Sequence, residues 1–130
     1  MNKNEHIKYW IDAAEVDYRA MNNLFDSKDY VWSLFLGHLV IEKLIKAIAV
    51  YKDVQNIPKI HDLNKISKRA GLDVDEKLGD LFDVITSFNI EVRYPDYKNE
   101  FYNKCTKKFT SEYKEKISEI RLWLLNQIDK

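Results

Sequence analysis

The sequence is poor in the residues that end helices and in those that staple small domains. Glycine occurs three times, proline twice and cysteine once in 130 residues. Few breakers favour long helices joined by few turns. One cysteine, Cys105, excludes a disulfide framework, and with three dispersed histidines it excludes a Cys/His zinc site. Cys105 has no neighbouring activator and reads as inert. Net charge is also missing: 21 basic residues balance 21 acidic ones, so there is no global pull toward nucleic acid or membrane. The opening MNKNEHIKYW has no signal-peptide character. The longest apolar run, from Tyr30 to Tyr51, is broken by His38, Glu42, Lys43 and Lys46, so no membrane span is expected there. A cytoplasmic, reducing setting is expected.

What is present is a globular composition, 45% hydrophobic and 13% aromatic, in a chain long enough for one domain over residues 1–130 with one core. Ile7, Trp10, Ile11, Ala14, Tyr18, Met21, Leu24 and Phe25 recur at helical spacing and predict a helix from Asn4 to Ser27. Asp29 can cap a second helix, Tyr30 to Tyr51, apolar around most of its circumference and therefore central. A loop around Pro58 follows, then a short helix from His61 or Asp62 to a glycine stop at Gly71. A fourth helix is predicted from Asp75 to Phe88. NIEVRYPDY reads as a structured loop, since Pro95 disfavours helix at Tyr94 and Val92 prefers extended backbone. Residues 98–108 admit a short helical turn, and a last long helix spans Thr110 to Ile128. The expected fold is all-α, an up-and-down bundle of four to five helices with the RYP loop before the last one.

The central helix poses the chemical question. His38, Glu42 and Lys46 are four apart and fall within an arc of about 80°, with Val31, Phe35 and Ala49 in or beside it. A buried carboxylate needs a partner, and Arg93, beside Pro95, offers a planar fork that fits one. Two readings follow: a buried Glu42–Arg93 pair that locks the RYP loop onto the helix, or an Arg93 kept for a phosphate. Lys43 and Lys46 are either snorkelling lysines or phosphate contacts. His38 is either a hydrogen-bonded core histidine or a base. His61 and Asp62 read first as a helix start, with a functional role for His61 if it folds toward His38. Tyr94 and Tyr97 pack in the bundle or stack on a base. Lys104, Lys107 and Lys108, with Glu100 and Glu112 nearby, read as solvated surface. No clustered oxygen ligands of the kind a hard metal needs stand out, and no metal or cofactor is expected.

GHLVIEKLIKA at 37–47, HDL at 61–63 and RYP at 93–95, behind the opening IDAAEVDYRAMNNLFDSKDYVWSLFL, resemble the HEPN family, named for higher eukaryotes and prokaryotes nucleotide-binding. The resemblance covers nearly the whole chain. It implies a helical bundle, a homodimer, and one of three activities: nucleotide binding, RNA cleavage, or a partner role beside a minimal nucleotidyltransferase in a toxin–antitoxin-like pair. RNA-cleaving members carry Arg, four to six residues, then His. Here Arg19, Arg69, Arg93 and Arg121 have no His at those distances. A non-catalytic nucleotide-binding or regulatory module is therefore expected, with a homodimer or a nucleotidyltransferase as protein partner. The alternative is an RNA-cleaving protein with a non-standard site, using His38 or His61 with Arg93.

Overall fold

The computed structural model describes residues 1–96 and 99–128, which form six helices and, among the described residues, no strand. They are α1 (Lys3–Asp26), α2 (Tyr30–Tyr51), α3 (Leu63–Ala70), α4 (Glu76–Arg93), α5 (Glu100–Lys104) and α6 (Lys107–Asn126). The bundle is all-α, as expected, with the ambiguous segment after Pro95 supplying α5.

Caps set most of the boundaries. Asn2, Asp62, Asp75 and Thr106 each accept a hydrogen bond from a first-turn backbone N–H of α1, α3, α4 and α6, filling donors that the helix leaves without internal partners. Gly71 ends α3 at φ 73°, a left-handed conformation that suits glycine. Asp29 occupies the capping position of α2, but its carboxylate accepts from the Ser27 hydroxyl at 2.6 Å instead of from the helix.

One boundary departs from the sequence expectation. α4 continues past Phe88 to Arg93, so NIEVR is helical and not loop. Pro95 restricts only the residue before it, and Tyr94 takes that role as the C-cap, at φ −130°. Burial of Phe88 and Asn89 outweighs the extended preference of Val92.

α2 is the axis of the molecule. It packs against α1, α3, α4 and α6, and Leu34, Val40, Ile41, Leu44, Ile45 and Ile48 are all 1% exposed or less. α1 and α2 form a hairpin, tied where the buried Ser33 hydroxyl donates to Met21 O at 2.8 Å. α6 packs on α2 and is tied to α1 by side chains: Arg121 binds Glu15 at 2.7 Å and lies over the Tyr18 ring, whose hydroxyl meets Ser118. An aromatic cluster of Phe88, Phe101, Phe109 and Tyr113 fastens α5 between α4 and α6. No helix of the described residues is long and apolar enough to cross a membrane.

Gly37 marks a close approach of α2 and α6. A Cβ there would lie 2.5 Å from Ile117 Cδ1 and 3.2 Å from Met21 Sδ. Gly79 in α4 would meet only ordinary contacts, the nearest at 3.6 Å. Gly37→Leu is predicted to destabilise by about 1–3 kcal/mol through overpacking, whereas Gly79→Ala should stabilise by about 0.5–1 kcal/mol through helix propensity. Urea unfolding of the two variants checks both signs.

Candidate functional site

Three of the four members of the polar cluster come from one stripe of α2 and the fourth from the connection that leaves it. Spacing of four residues places His38, Glu42 and Lys46 one above another along α2. The connection 52–62 then folds back over α2 and delivers His61 just before the α3 cap, Asp62. Glu42 is 4% exposed. Its Oε1 accepts from His61 Nδ1 at 2.7 Å and its Oε2 from Lys46 Nζ at 3.3 Å. A carboxylate removed from water is thus held by two donors, the condition under which burial is tolerated.

His38 forms the inner end. Its Nε2 lies 2.7 Å from His61 O. A carbonyl only accepts, so Nε2 carries the proton and donates. Burial lowers the His38 pKa from its ordinary 6.5, against the raising effects of the His61 carbonyl and of Glu42, with His61 and Lys46 adding to the lowering. The neutral ring leaves Nδ1 bare, and Asn89 Nδ2 from α4 approaches it at 3.5 Å. The two imidazoles meet edge-on, centroids 6.1 Å apart.

His61 is the outer end. Its Nδ1 donates to Glu42, its side chain is 46% exposed, and its Nε2 has no partner among the described residues. Chemically the arrangement is an imidazole oriented by a buried carboxylate, with the second ring nitrogen offered outward. Lys46 continues the network in the opposite direction, its ammonium 5.2 Å from the centroid of the Trp10 ring, and Trp10 Nε1 donates to His6 Nε2 at 3.2 Å.

The other residues singled out in the sequence lie apart. Glu42 does not pair with Arg93: its oxygens are taken by His61 and Lys46, and Arg93 is exposed at the end of α4 with its guanidinium 5.8 Å from the Tyr94 ring centroid. The helical continuation through NIEVR is the cause, since it carries Arg93 along α4 instead of returning it in a loop over α2. Lys43 points to α1 and binds Asp17 at 2.6 Å, a lateral ion pair outside the cluster. Asp62 spends its carboxylate on Lys65 N as the α3 cap. Tyr94 is 70% exposed, and Tyr97 lies outside the described residues. Cys105 is buried and its thiol is pushed up to about 11 by burial, with Lys104 opposing, so little thiolate is present at neutral pH. Among the described residues no three His, Cys, Asp or Glu side chains gather as a metal site.

Asn89, His6 and Trp10 belong to the network and were not singled out. Asn89 had a readable signal. It stands four residues after Ile85, on the inward stripe of α4, where a polar side chain needs a partner.

A family model described as HEPN domain matches residues 7–128. No curated protein and no solved structure matches the chain.

The neutral state of His38 gives stability a pH dependence. The unfolded chain binds a proton near 6.5, whereas the folded chain resists it, so stability is lost as pH falls below about 6.5. His38 contributes up to ~1.4 kcal/mol per pH unit until its lowered folded pKa is reached. Nitrogen-15 NMR should find the His38 ring protonated on Nε2 alone at neutral pH and titrating below its ordinary 6.5. A ring titrating at its ordinary midpoint would contradict the assignment.

Proposed function

The chain belongs to the HEPN domain family, and we propose that it acts as a non-catalytic nucleotide-binding or regulatory module, working beside a minimal nucleotidyltransferase in a toxin–antitoxin-like pair. One observation carries the non-catalytic part: the polar cluster closes on a buried carboxylate and contains no arginine. Phosphodiester cleavage needs an acid or base together with a cation placed where charge develops, and the cluster's one cation, the Lys46 ammonium, is bound to Glu42 and lies over the Trp10 ring, with no hydrogen bond to His38 or His61. Arg93, the arginine that the sequence offered for that task, stands exposed beside Tyr94 and, among the described residues, makes no hydrogen bond to His38 or His61. The missing Arg–His spacing in the sequence supports the same reading.

A homodimer is part of the proposal. Tyr9 and Val16 on α1 and Leu122 on α6 are each more than half exposed, apolar surface of the kind that association covers.

A second reading has one observation in its favour. The buried Glu42 fixes His61 with its outer nitrogen offered to solvent, the layout by which a carboxylate orients an imidazole base. That reading makes His61 the acid–base group of RNA cleavage by a non-standard site.

Nucleotide titration by calorimetry and incubation with RNA separate the two. Saturable nucleotide binding with no RNA cleavage above a buffer control is expected. RNA cleavage that disappears in His61→Ala would overturn the non-catalytic reading and establish the second.

A further inference from the structure

A cavity of about 520 Å³ opens between the start of α1, the end of α2 and the connection 53–59. Its volume is in the range that takes a small organic ligand. One wall is the Trp10 ring, and Val54, Ile57 and Pro58 supply further apolar surface. Lys46 and Lys59 line it as well.

Lys46 is the informative residue. Its side chain is only 14% exposed, and among the described residues its ammonium makes one hydrogen bond, to Glu42 at 3.3 Å. An ammonium has three donors, so two are unspent on a side chain that borders the cavity. The ring of Trp10 beneath it offers electrostatic attraction but no acceptor. Nearly buried polar groups ordinarily find partners, and the open side here is the cavity. The other charges leave the balance positive. Lys3 is neutralised by Asp53 at 3.2 Å, and Lys59 has no ion-pair partner among the described residues.

The walls are braced independently of any ligand. Arg69 Nη2 donates to Gln55 O at 2.6 Å, Val54 N to Ala49 O at 2.9 Å, and His61, at the end of the same connection, is clamped to Glu42.

We propose that this cavity is an anion site for a small phosphate ester, its phosphate held by Lys46 and Lys59 and its body lying against Trp10, Val54 and Ile57. The proposal rests on the reading of the chain as a nucleotide-binding module and gives that reading a place. It also assigns Glu42 a positioning role: Oε2 fixes the Lys46 ammonium while Oε1 fixes the connection that forms the far wall.

Trp10 reports on the site directly. In a Trp32→Phe, Trp123→Phe background it is the only tryptophan. AMP, adenosine and inorganic phosphate are titrated against this protein by emission, and against the full chain by calorimetry. AMP should shift the Trp10 emission saturably, inorganic phosphate should compete with it, and adenosine should bind more weakly than AMP. Lys59→Glu, an exposed change that leaves the core intact, should weaken AMP by about tenfold or more, the loss of one charge-assisted contact. Lys46→Met should do the same. If AMP binds by calorimetry while Trp10 emission and the Lys59→Glu affinity stay unchanged, the site lies elsewhere and the nucleotide reading survives. If adenosine binds as well as AMP, the anion assignment is overturned. If neither AMP nor phosphate binds at millimolar concentration, the proposal and the nucleotide reading fall together.

Discussion

A carboxylate on the most buried helix needs donors, and the way Glu42 obtains them constrains much of the molecule. One donor is local: Lys46, a turn further along α2, reaches back to Oε2. The other is remote: His61 must be brought back from the far side of an eleven-residue connection, 52–62. The connection therefore cannot extend into solvent. It is drawn over α2, fastened by the His61 ring on Glu42 and by the His61 carbonyl on His38. The same return path leaves the cavity between Trp10 and residues 53–59. Core polarity, loop path and candidate ligand site thus share one cause.

His38 extends the constraint to α4. As a neutral ring it donates on one side and accepts on the other, joining the connection to Asn89. These polar contacts sit among apolar ones that permit many neighbouring registers, and a buried polar network is satisfied in few of them. Gly37 adds a steric counterpart one residue earlier, where α2 and α6 come close enough that a side chain would strike Ile117.

Much of this was legible in the sequence. The apolar periodicities of α1, α2 and α6, the Asp62 cap and the Gly71 stop are local signals, and local signals are what a single sequence carries. The polar stripe on α2 was legible as a network, since three polar residues four apart cannot each be accidental on a buried face. Its partner was not legible. The sequence offered Arg93 for Glu42 and related His61 only to His38, and the outcome turned on whether NIEVR left α4 or extended it. Val92 and Pro95 argued for loop, but Pro95 acts only on Tyr94 and tertiary burial of Phe88 and Asn89 decided the rest. The cavity was not legible either: Trp10, Lys46 and Lys59 are far apart in sequence, and Trp10 read simply as core.

A pair of double-mutant cycles, measured by urea unfolding at pH 7, tests the role of Glu42 most directly. One combines Glu42→Met with His61→Ala, the other Glu42→Met with Arg93→Ala. Residues in one hydrogen-bonded network couple by about 0.5–3 kcal/mol, whereas independent sites add to within about 0.5 kcal/mol. Coupling in the Glu42–His61 cycle and additivity in the Glu42–Arg93 cycle are the expected result. Additivity between Glu42 and His61, or coupling between Glu42 and Arg93, would show that the buried carboxylate does not hold the connection in place.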